Sequence, residues 1–273
     1  MRRVAVVQLR ASTHKDENLK IALGYIKEAK SKKADLITFP EFLMAYSPAS
    51  QSAEELSKIA ESIDGEFASA LKDAAKINGI NVVATIYEKS KEKNRVYDTS
   101  LLIDNNGNLA TVYRKLHLYD ALGFKESDKL IAGNDLIKPV KTIVGNIGMM
   151  ICYDIRFPEM SRILALMGAD TLILPSAWVG GDMKIEHWQT MLKARAIENG
   201  CYVVAPDQVG NIYIGQSTVV DPFGKVILDM KDKEGLAVVD LDGDVVKNAR
   251  NKLPLLKKRR KDVYAKYVDV FES

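Results

Sequence analysis

Short apolar runs recur along this chain, and segments in which apolar residues follow the spacing of a helix face separate several of them. The apolar runs predict strands at residues 4–9, 35–39, 81–87, 97–104, 109–114, 147–152, 171–174, 202–205, 215–220, 226–230 and 237–241. The helical spacing predicts helices at residues 18–32, 158–167 and 185–198, and within 53–77 on either side of a break at 64–65. Short strands that are apolar throughout are typical of sheets buried on both faces. The sequence therefore predicts a mixed α/β fold.

Two segments of the chain resemble each other. Residues 34–41 are ADLITFPE and residues 169–176 are ADTLILPS, and each follows an apolar strand and then a helix. The likeness is either a coincidence between two buried strands or the trace of a pseudo-two-fold fold. In the second case two sheets pack face to face and helices cover them outside. Because no Pro-, Gly- or Ser-rich linker interrupts the chain, we expect one domain over residues 1–273.

The composition narrows the possible classes of function. The 273 residues are enough for a sizeable core, and no run of about 18 apolar residues predicts a membrane span. The chain has 39 basic and 36 acidic residues, and a net charge of +3 gives no reason to expect nucleic acid as a partner. Only two cysteines are present, and the first apolar run stops at Gln8, too early for a signal peptide. We therefore expect a cytoplasmic protein that acts on a small molecule, away from membranes.

Several common functional motifs are missing from the sequence. There is no Walker A loop, no GxGxxG after a predicted strand and no GxSxG. The three histidines, at positions 14, 117 and 187, are too scattered to predict a metal cluster. Neither nucleotide-dependent chemistry nor a metal centre is indicated.

Cys152 is the most suggestive single residue. It ends an apolar strand and precedes a turn into the next predicted helix, a position at which a nucleophile is exposed near backbone N–H groups. A thiol with a pKa of about 8.5 is mostly protonated at neutral pH, so it needs a nearby base or cation to react. The alternative is a buried structural cysteine. Cys201, which begins an apolar strand, fits that alternative better.

Two charged residues also stand at the ends of predicted strands. Glu41 follows the apolar strand 35–39 and Pro40, and a carboxylate leaving a core strand is costly unless it is paired or functional. Lys115 follows the strand 109–114, where a lysine is more often simply solvated.

Together with Cys152 these residues lie in motifs that resemble the nitrilase superfamily of carbon–nitrogen hydrolases. The motifs are FPE at 39–41, YRKLHL at 113–118 and ICYDIRFPE at 151–159, in that order and with wide spacing. Three further segments resemble the same family: ARAIEN at 194–199, GQST and DPFG within 215–224, and LP at 253–254 followed by RRKDVY at 259–264. The likeness spans nearly the whole chain.

The resemblance implies a four-layer αββα sandwich and amide hydrolysis by Glu41, Lys115 and Cys152, without a metal or organic cofactor. Glu41 would take the thiol proton, while the ammonium of Lys115 and the backbone N–H of Tyr153 would stabilise the oxyanion. Glu126 matches the family position that helps to orient Lys115 and the substrate; the alternative is an ordinary loop glutamate.

The same pattern predicts residues that contact the substrate. Family members that act on carboxylate-bearing amides, among them ω-amidases, share the run Cys-Tyr-Asp-x-Arg-Phe, which places Arg156 four residues after the cysteine. A guanidinium fork suits a carboxylate. Arg156 alternatively pairs with Asp154 or Glu159. Trp178 either forms a wall of the pocket or packs in the core.

The predicted function is therefore that of an ω-amidase-like enzyme. True nitrilases commonly carry tryptophan directly after the nucleophile, and Tyr153 at that place favours amides over nitriles. A carbamoyl-amine or aliphatic amidase of the same superfamily remains an alternative. Two others are a Cys–His hydrolase that uses His117 or His187, and a non-catalytic binding protein that has kept the fold.

The last part of the chain is predicted to be a C-terminal arm that starts at about residue 250. The resemblance also predicts a homodimer or a higher homo-oligomer. The basic run at 257–261 is then part of an arm at a subunit interface, or else a solvated charge run.

Overall fold

Two six-stranded sheets form the centre of the structure, a computed structural model that describes residues 2–267. The first sheet has the order β14-β1-β2-β3-β4-β5, and its strands are β1 (Arg2–Gln8), β2 (Leu36–Thr38), β3 (Asn81–Lys89), β4 (Val96–Ile103), β5 (Leu109–Arg114) and β14 (Gly235–Leu241). The second has the order β13-β12-β9-β8-β7-β6, and its strands are β6 (Val140–Thr142), β7 (Gly145–Met149), β8 (Thr171–Ile173), β9 (Tyr202–Ala205), β12 (Thr218–Val220) and β13 (Val226–Asp229). A short hairpin joins β10 (Val209–Gly210) to β11 (Tyr213–Ile214).

The two sheets have the same internal arrangement. In the first, β1, β2 and β3 are parallel and lie between the antiparallel strands β14 and β4. In the second, β7, β8 and β9 are parallel and lie between the antiparallel strands β6 and β12. The repeated segments 34–41 and 169–176 contain the equivalent strands β2 and β8. The repeat in the sequence therefore corresponds to a pseudo-two-fold arrangement of the sheets.

The sheets pack face to face through alternate residues of their strands. On β1, Val4 and Val6 belong to the same buried cluster as Leu172 of β8 in the second sheet. Ala5 and Val7, which point to the opposite face, belong to a second cluster. This alternation gives the first sheet one face toward the second sheet and one face toward its own helices.

Helices cover both outer faces. They are α1 (Lys15–Ser31), α2 (Ala53–Ile59), α3 (Glu66–Asn78), α4 (Pro158–Leu166), α5 (Lys184–Asn199), α6 (Gly243–Lys252) and α7 (Lys261–Tyr264). Ile26 of α1 and Leu71 of α3 pack under the first sheet, while Leu164 of α4 and Trp188 of α5 pack on the second. The layers are thus helix, sheet, sheet and helix, and the predicted four-layer αββα sandwich is confirmed.

Element boundaries differ from the sequence predictions in a few places. The predicted strand 215–220 begins only at Thr218, because Gly215 and Gln216 adopt left-handed φ angles of 71° and 62° that break the ladder. The strand β6 and the hairpin β10–β11 were not predicted. These strands are two or three residues long and lack an apolar run, so their pairing rests on tertiary neighbours.

The end of the described chain is largely exposed. After α6 the chain turns and continues into the short α7, whose residues are all exposed or half-buried. Positions 268–273 of the predicted arm, and position 1 of the predicted domain, lie outside the described residues. Across residues 2–267 no helix combines the length and the apolar character that crossing a lipid bilayer would require.

Candidate active site

The two repeated segments meet where their strands end. The backbone N–H of Glu41, just after β2, donates a hydrogen bond to the carbonyl of Ser176, just after β8, at 3.2 Å. The N–H of Cys152, just after β7, donates to the carbonyl of Pro175 at 2.9 Å. The carboxyl ends of strands from both sheets therefore converge at one point, which is where open α/β sheets usually place their ligands.

A buried lysine connects two glutamates at this point. Lys115 follows β5, and its Nζ lies 2.7 Å from Oε1 of Glu41 and 2.9 Å from Oε2 of Glu126. Glu41 and Lys115 are buried, and Glu126 is partly exposed in a 3₁₀ turn, Glu126–Asp128. The N–H of Tyr119 donates to Glu126 at 2.8 Å and fixes its carboxylate. Three residues far apart in sequence thus form one charged cluster.

Cys152 begins the 3₁₀ turn Cys152–Arg156 with a strained backbone. Its φ of 42° is in the left-handed region, which costs a residue other than glycine about 1–3 kcal/mol. Asp154 offsets this strain within the turn. Its carboxylate accepts hydrogen bonds from the N–H of Ile151 at 2.8 Å and from the hydroxyl of Tyr113 at 2.6 Å, and it lies 2.7 Å from Nδ1 of His117.

The electrostatics of the cluster keep the thiol protonated and the lysine charged. Burial, and then the negative charge of Glu41, raises the pKa of the Cys152 thiol well above its ordinary value. Burial alone would lower the pKa of Lys115, but Glu126 and Glu41 outweigh it and raise that pKa. Cys152 therefore needs a base, and Oε2 of Glu41 is buried without a hydrogen-bond partner among residues 2–267.

A cavity of about 540 Å³ opens beside Cys152. This volume is in the range of pockets that hold small molecules. Its wall includes Phe42, Tyr46, Tyr87, Tyr119, Glu126, Lys129, Cys152, Tyr153, Arg156, Trp178, Lys184 and Tyr213. Glu41 and Lys115 lie behind this lining, so Cys152 is the member of the predicted triad that faces the cavity.

All the predicted substrate residues also border the cavity. Tyr153 and Trp178 contribute aromatic walls, and the guanidinium of Arg156 lies 5.8 Å and 4.8 Å from the centroids of their rings. The alternative partner Asp154 has both carboxylate oxygens engaged by other groups. Within the described part of the chain Arg156 forms no ion pair.

Lys184 is a cavity residue that the sequence did not single out. It is 6% exposed, and its Nζ donates to the hydroxyl of Tyr119 at 2.7 Å. The same atom lies 4.6 Å and 5.4 Å from the ring centroids of Tyr119 and Trp178. No carboxylate of residues 2–267 pairs with it. A lysine at the start of a helix usually faces solvent, so nothing in the sequence indicated this burial.

The other cysteine and the histidines lie apart from the cavity. Cys201 is 0% exposed, and its Sγ lies 3.1 Å from the guanidinium of Arg250. His117 stacks on Phe157 with centroids 3.6 Å apart, and His187 is exposed on α5. No group of three or more His, Cys, Asp or Glu side chains among the described residues is placed to hold a metal ion.

Comparisons with known proteins agree with this geometry. A model of the carbon–nitrogen hydrolase family matches residues 3–251. The deaminated glutathione amidase of Escherichia coli O157:H7 is 36% identical over 258 residues, which cover 94% of this chain and 97% of that protein. The crystal structure of the Caenorhabditis elegans NitFhit protein superposes with a TM-score of 0.90 at 32% identity, over 96% of this chain and 66% of that one. An amidase from Nesterenkonia sp. AN1, solved with acrylamide added to its active-site cysteine, superposes with a TM-score of 0.80 at 26% identity, over 98% of this chain and 100% of that one.

The two cysteines should differ in reactivity. We expect iodoacetamide to alkylate Cys152 in the folded protein and to leave Cys201 unmodified, because Cys152 faces the cavity and Cys201 is fully buried. The rate should keep rising above about pH 8.5, since the thiolate is the nucleophile and the pKa of Cys152 is raised. Peptide mass spectrometry after timed labelling at several pH values measures this.

Two variants serve as controls for the labelling. Cys201→Ala should label like the native protein, and Cys152→Ala should take up no label while it remains folded. Equal labelling of both cysteines in the native protein would contradict the assignment of Cys152 as the reactive thiol.

Proposed function

The chain belongs to the carbon–nitrogen hydrolase family, and from that premise we propose that Cys152 is the nucleophile of an amidase for small amides that carry a carboxylate. As a member of this family, the nitrilase superfamily, it is a hydrolase of carbon–nitrogen bonds other than peptide bonds. One observation carries the proposal: Glu41 and Lys115 lie buried behind the cysteine that faces the cavity, and Glu126 joins this pair to the cavity wall.

In the first half of the reaction the enzyme is acylated. Glu41 takes the proton of the Cys152 thiol, and the thiolate attacks the amide carbonyl to give a tetrahedral oxyanion. The ammonium of Lys115 and the backbone N–H of Tyr153 stabilise that oxyanion. Glu41 then returns the proton to the nitrogen, the C–N bond breaks, and ammonia or an amine leaves a thioester on Cys152.

In the second half water hydrolyses the thioester. Glu41 takes a proton from water, and the resulting hydroxide equivalent attacks the thioester carbonyl at the same oxyanion site. The C–S bond breaks, the sulfur recovers its proton from Glu41, and the product is a carboxylic acid. The side chains of the cluster supply every proton transfer, so these steps require no metal or organic cofactor.

The charges of the cavity support a carboxylate on the substrate. Arg156 and Lys184 both line it, and neither pairs with a carboxylate among residues 2–267. Burying a cation without a counter-charge is costly, and an anionic ligand between these side chains would relieve that cost. The relative from E. coli is named for an amidase activity on deaminated glutathione, which agrees with amide chemistry at such a site.

The remaining sequence expectations belong to the same proposal. We propose that residues 1–273 act as one domain with a C-terminal arm, in a cytoplasmic homodimer or higher homo-oligomer, and that a small molecule is its partner instead of nucleic acid or a membrane. The arm carries exposed apolar side chains at Leu253, Leu255, Tyr264 and Tyr267, which an interface between subunits would cover. Both cysteines are free thiols, which suits a reducing compartment.

Glu41 should be the essential base. Glu41→Gln keeps the shape of the side chain but removes the proton acceptor, so kcat should fall by at least about 10²-fold. His117→Ala and His187→Ala should remain active, because neither histidine reaches the cavity. Ammonia release from succinamate, with thermal melting as the check on folding, measures all three variants. A folded but inactive histidine variant would favour a Cys–His mechanism instead.

Lys115 should act through a point charge. Lys115→Arg keeps the charge, but the planar guanidinium cannot occupy the position of Nζ between Glu41 and Glu126. Loss of an oxyanion donor costs roughly 10²–10³-fold in kcat, and we expect a loss of that size. The variant must show a cooperative melting transition for the comparison to hold. Near-native turnover of Lys115→Arg would leave the lysine a purely structural role.

Arg156 and Lys184 should recognise the charge of the substrate. A charge-assisted contact is worth about 1.5–3 kcal/mol, so Arg156→Ala and Lys184→Met should each lower kcat/KM for succinamate by about 10- to 100-fold. Levulinamide, in which a methyl group replaces the charged oxygen of the carboxylate, should be a poor substrate. Its kcat/KM should be almost the same in the native enzyme and in both variants. Steady-state kinetics with the two amides tests this.

The matched control for Lys184 is Lys193→Met, an exposed lysine on the same helix, which should change neither substrate's kinetics. If the native enzyme prefers levulinamide, the carboxylate specificity is wrong and a general aliphatic amidase takes its place. If Arg156→Ala lowers kcat/KM equally for both amides, Arg156 supports the turn after Cys152 and does not contact the substrate.

A further inference from the structure

A second buried carboxyl group adjoins the catalytic cluster. Asp98 lies on β4 and is 1% exposed. Neither of its carboxylate oxygens has a hydrogen-bond partner among residues 2–267, and the same is true of Oε2 of Glu41. Buried polar atoms are nearly always hydrogen-bonded, so these three oxygens need an explanation.

The backbone holds Asp98 firmly in this place. Its carbonyl accepts a hydrogen bond from the N–H of Lys115 at 2.9 Å, and on the other side Asp98 pairs with Tyr87 of β3. Lys115 therefore brings the two residues together, since its N–H holds the backbone of Asp98 and its ammonium group holds Glu41, and the two carboxyl groups act on each other. Two ionised carboxylates are acceptors only, so they cannot bond to each other unless one of them carries a proton.

The charges around Asp98 favour the protonated form. Glu41 and Glu126 already place two carboxyl groups around the single ammonium group of Lys115. Burial raises the pKa of the Tyr87 hydroxyl well above its ordinary value, so Tyr87 adds no positive charge. Burial, and then the charge of Glu41, raises the pKa of Asp98 well above its ordinary value, although Lys115 opposes the shift. A third carboxylate charge in this buried site would have no cation to balance it.

We propose that Asp98 is a neutral carboxylic acid that donates its proton to the Glu41 carboxylate and thereby positions the base. One shared proton joins Oε2 of Glu41 to one oxygen of Asp98, so two of the three orphaned oxygens gain a partner. The Glu41 carboxylate is oriented by Lys115 on one side and Asp98 on the other, and it keeps lone pairs to accept the thiol proton. The positioning role rests on the proposed function, in which Glu41 is the base; the protonation of Asp98 does not.

The protonation is testable without a substrate. An unfolded aspartate loses its proton above about pH 3.9, whereas Asp98 keeps its proton in the native state. Unfolding then releases a proton at neutral pH, so this group makes the native protein less stable as the pH rises. Asp98→Asn has no such proton to lose. Its Tm should exceed that of the native protein, and the gap should widen from about pH 5 to about pH 8.

Asp240→Asn is the matched control, because Asp240 is ionised and pairs with Arg3 at the surface at 3.0 Å. It should not raise the Tm. A Tm of Asp98→Asn that lies below the native value, with a gap that does not change with pH, would show that Asp98 is ionised and would overturn the proposal. This outcome is independent of whether the enzyme hydrolyses the chosen amide.

Activity tests the positioning role. The amide N–H of Asp98→Asn can still donate to Glu41, so its kcat for succinamate should stay within about tenfold of the native value, whereas Asp98→Leu, which has no donor, should lose about 10²-fold. An equal loss of kcat in both variants would mean that the charge of Asp98 is needed. Full activity of Asp98→Leu would mean that the hydrogen bond to Glu41 is not needed. Either result overturns the proposal. If Asp98→Leu does not fold, the melting comparison still decides the protonation of Asp98.

Discussion

The buried ammonium group of Lys115 is the interaction on which the site depends. Taking such a charge out of water costs several kcal/mol unless opposite charges and hydrogen bonds surround it. Glu41 and Glu126 provide both, and they come from the end of β2 and from a 3₁₀ turn beyond β5. Because each of the three charges needs the others, the cluster also fixes the relative positions of the segments that carry them.

The pseudo-two-fold arrangement explains why the thiol of Cys152 lies beside this cluster. The first sheet contributes Glu41 and Lys115, and the second contributes Cys152 through the end of β7. Hydrogen bonds between the two repeated segments join the sheets at their carboxyl ends. Asp154 then ties the strained turn at Cys152 to Tyr113 and His117, which belong to and follow β5 of the first sheet.

The two sides of the thiol present different groups. Behind Cys152 lie the carboxylate of Glu41 and the ammonium group of Lys115, whereas the cavity wall in front contains the cations Arg156 and Lys184 as well as Glu126. The rear cluster suits proton transfer, because a carboxylate accepts the thiol proton. The front wall suits the binding of an anion. The aromatic rings of Tyr119, Tyr153 and Trp178 lie 4.6–5.8 Å from these cations, close enough for cation–π contacts.

The sequence alone determined the α/β class and most strands and helices, and it predicted the triad, because apolar periodicity and residues at strand ends are local features. The motifs predicted four site residues, and the structure brings them together: Glu41, Lys115, Cys152 and Glu126.

The sequence did not reveal β6, the hairpin β10–β11, Lys184 or Asp98. The short strands lack an apolar pattern of their own. Lys184 and Asp98 are ordinary polar residues in a helix and a strand, and only the packing of distant segments around them buries their side chains. Burial and pairing across the fold are properties of the tertiary structure, and they decide which of the polar side chains take part in the chemistry.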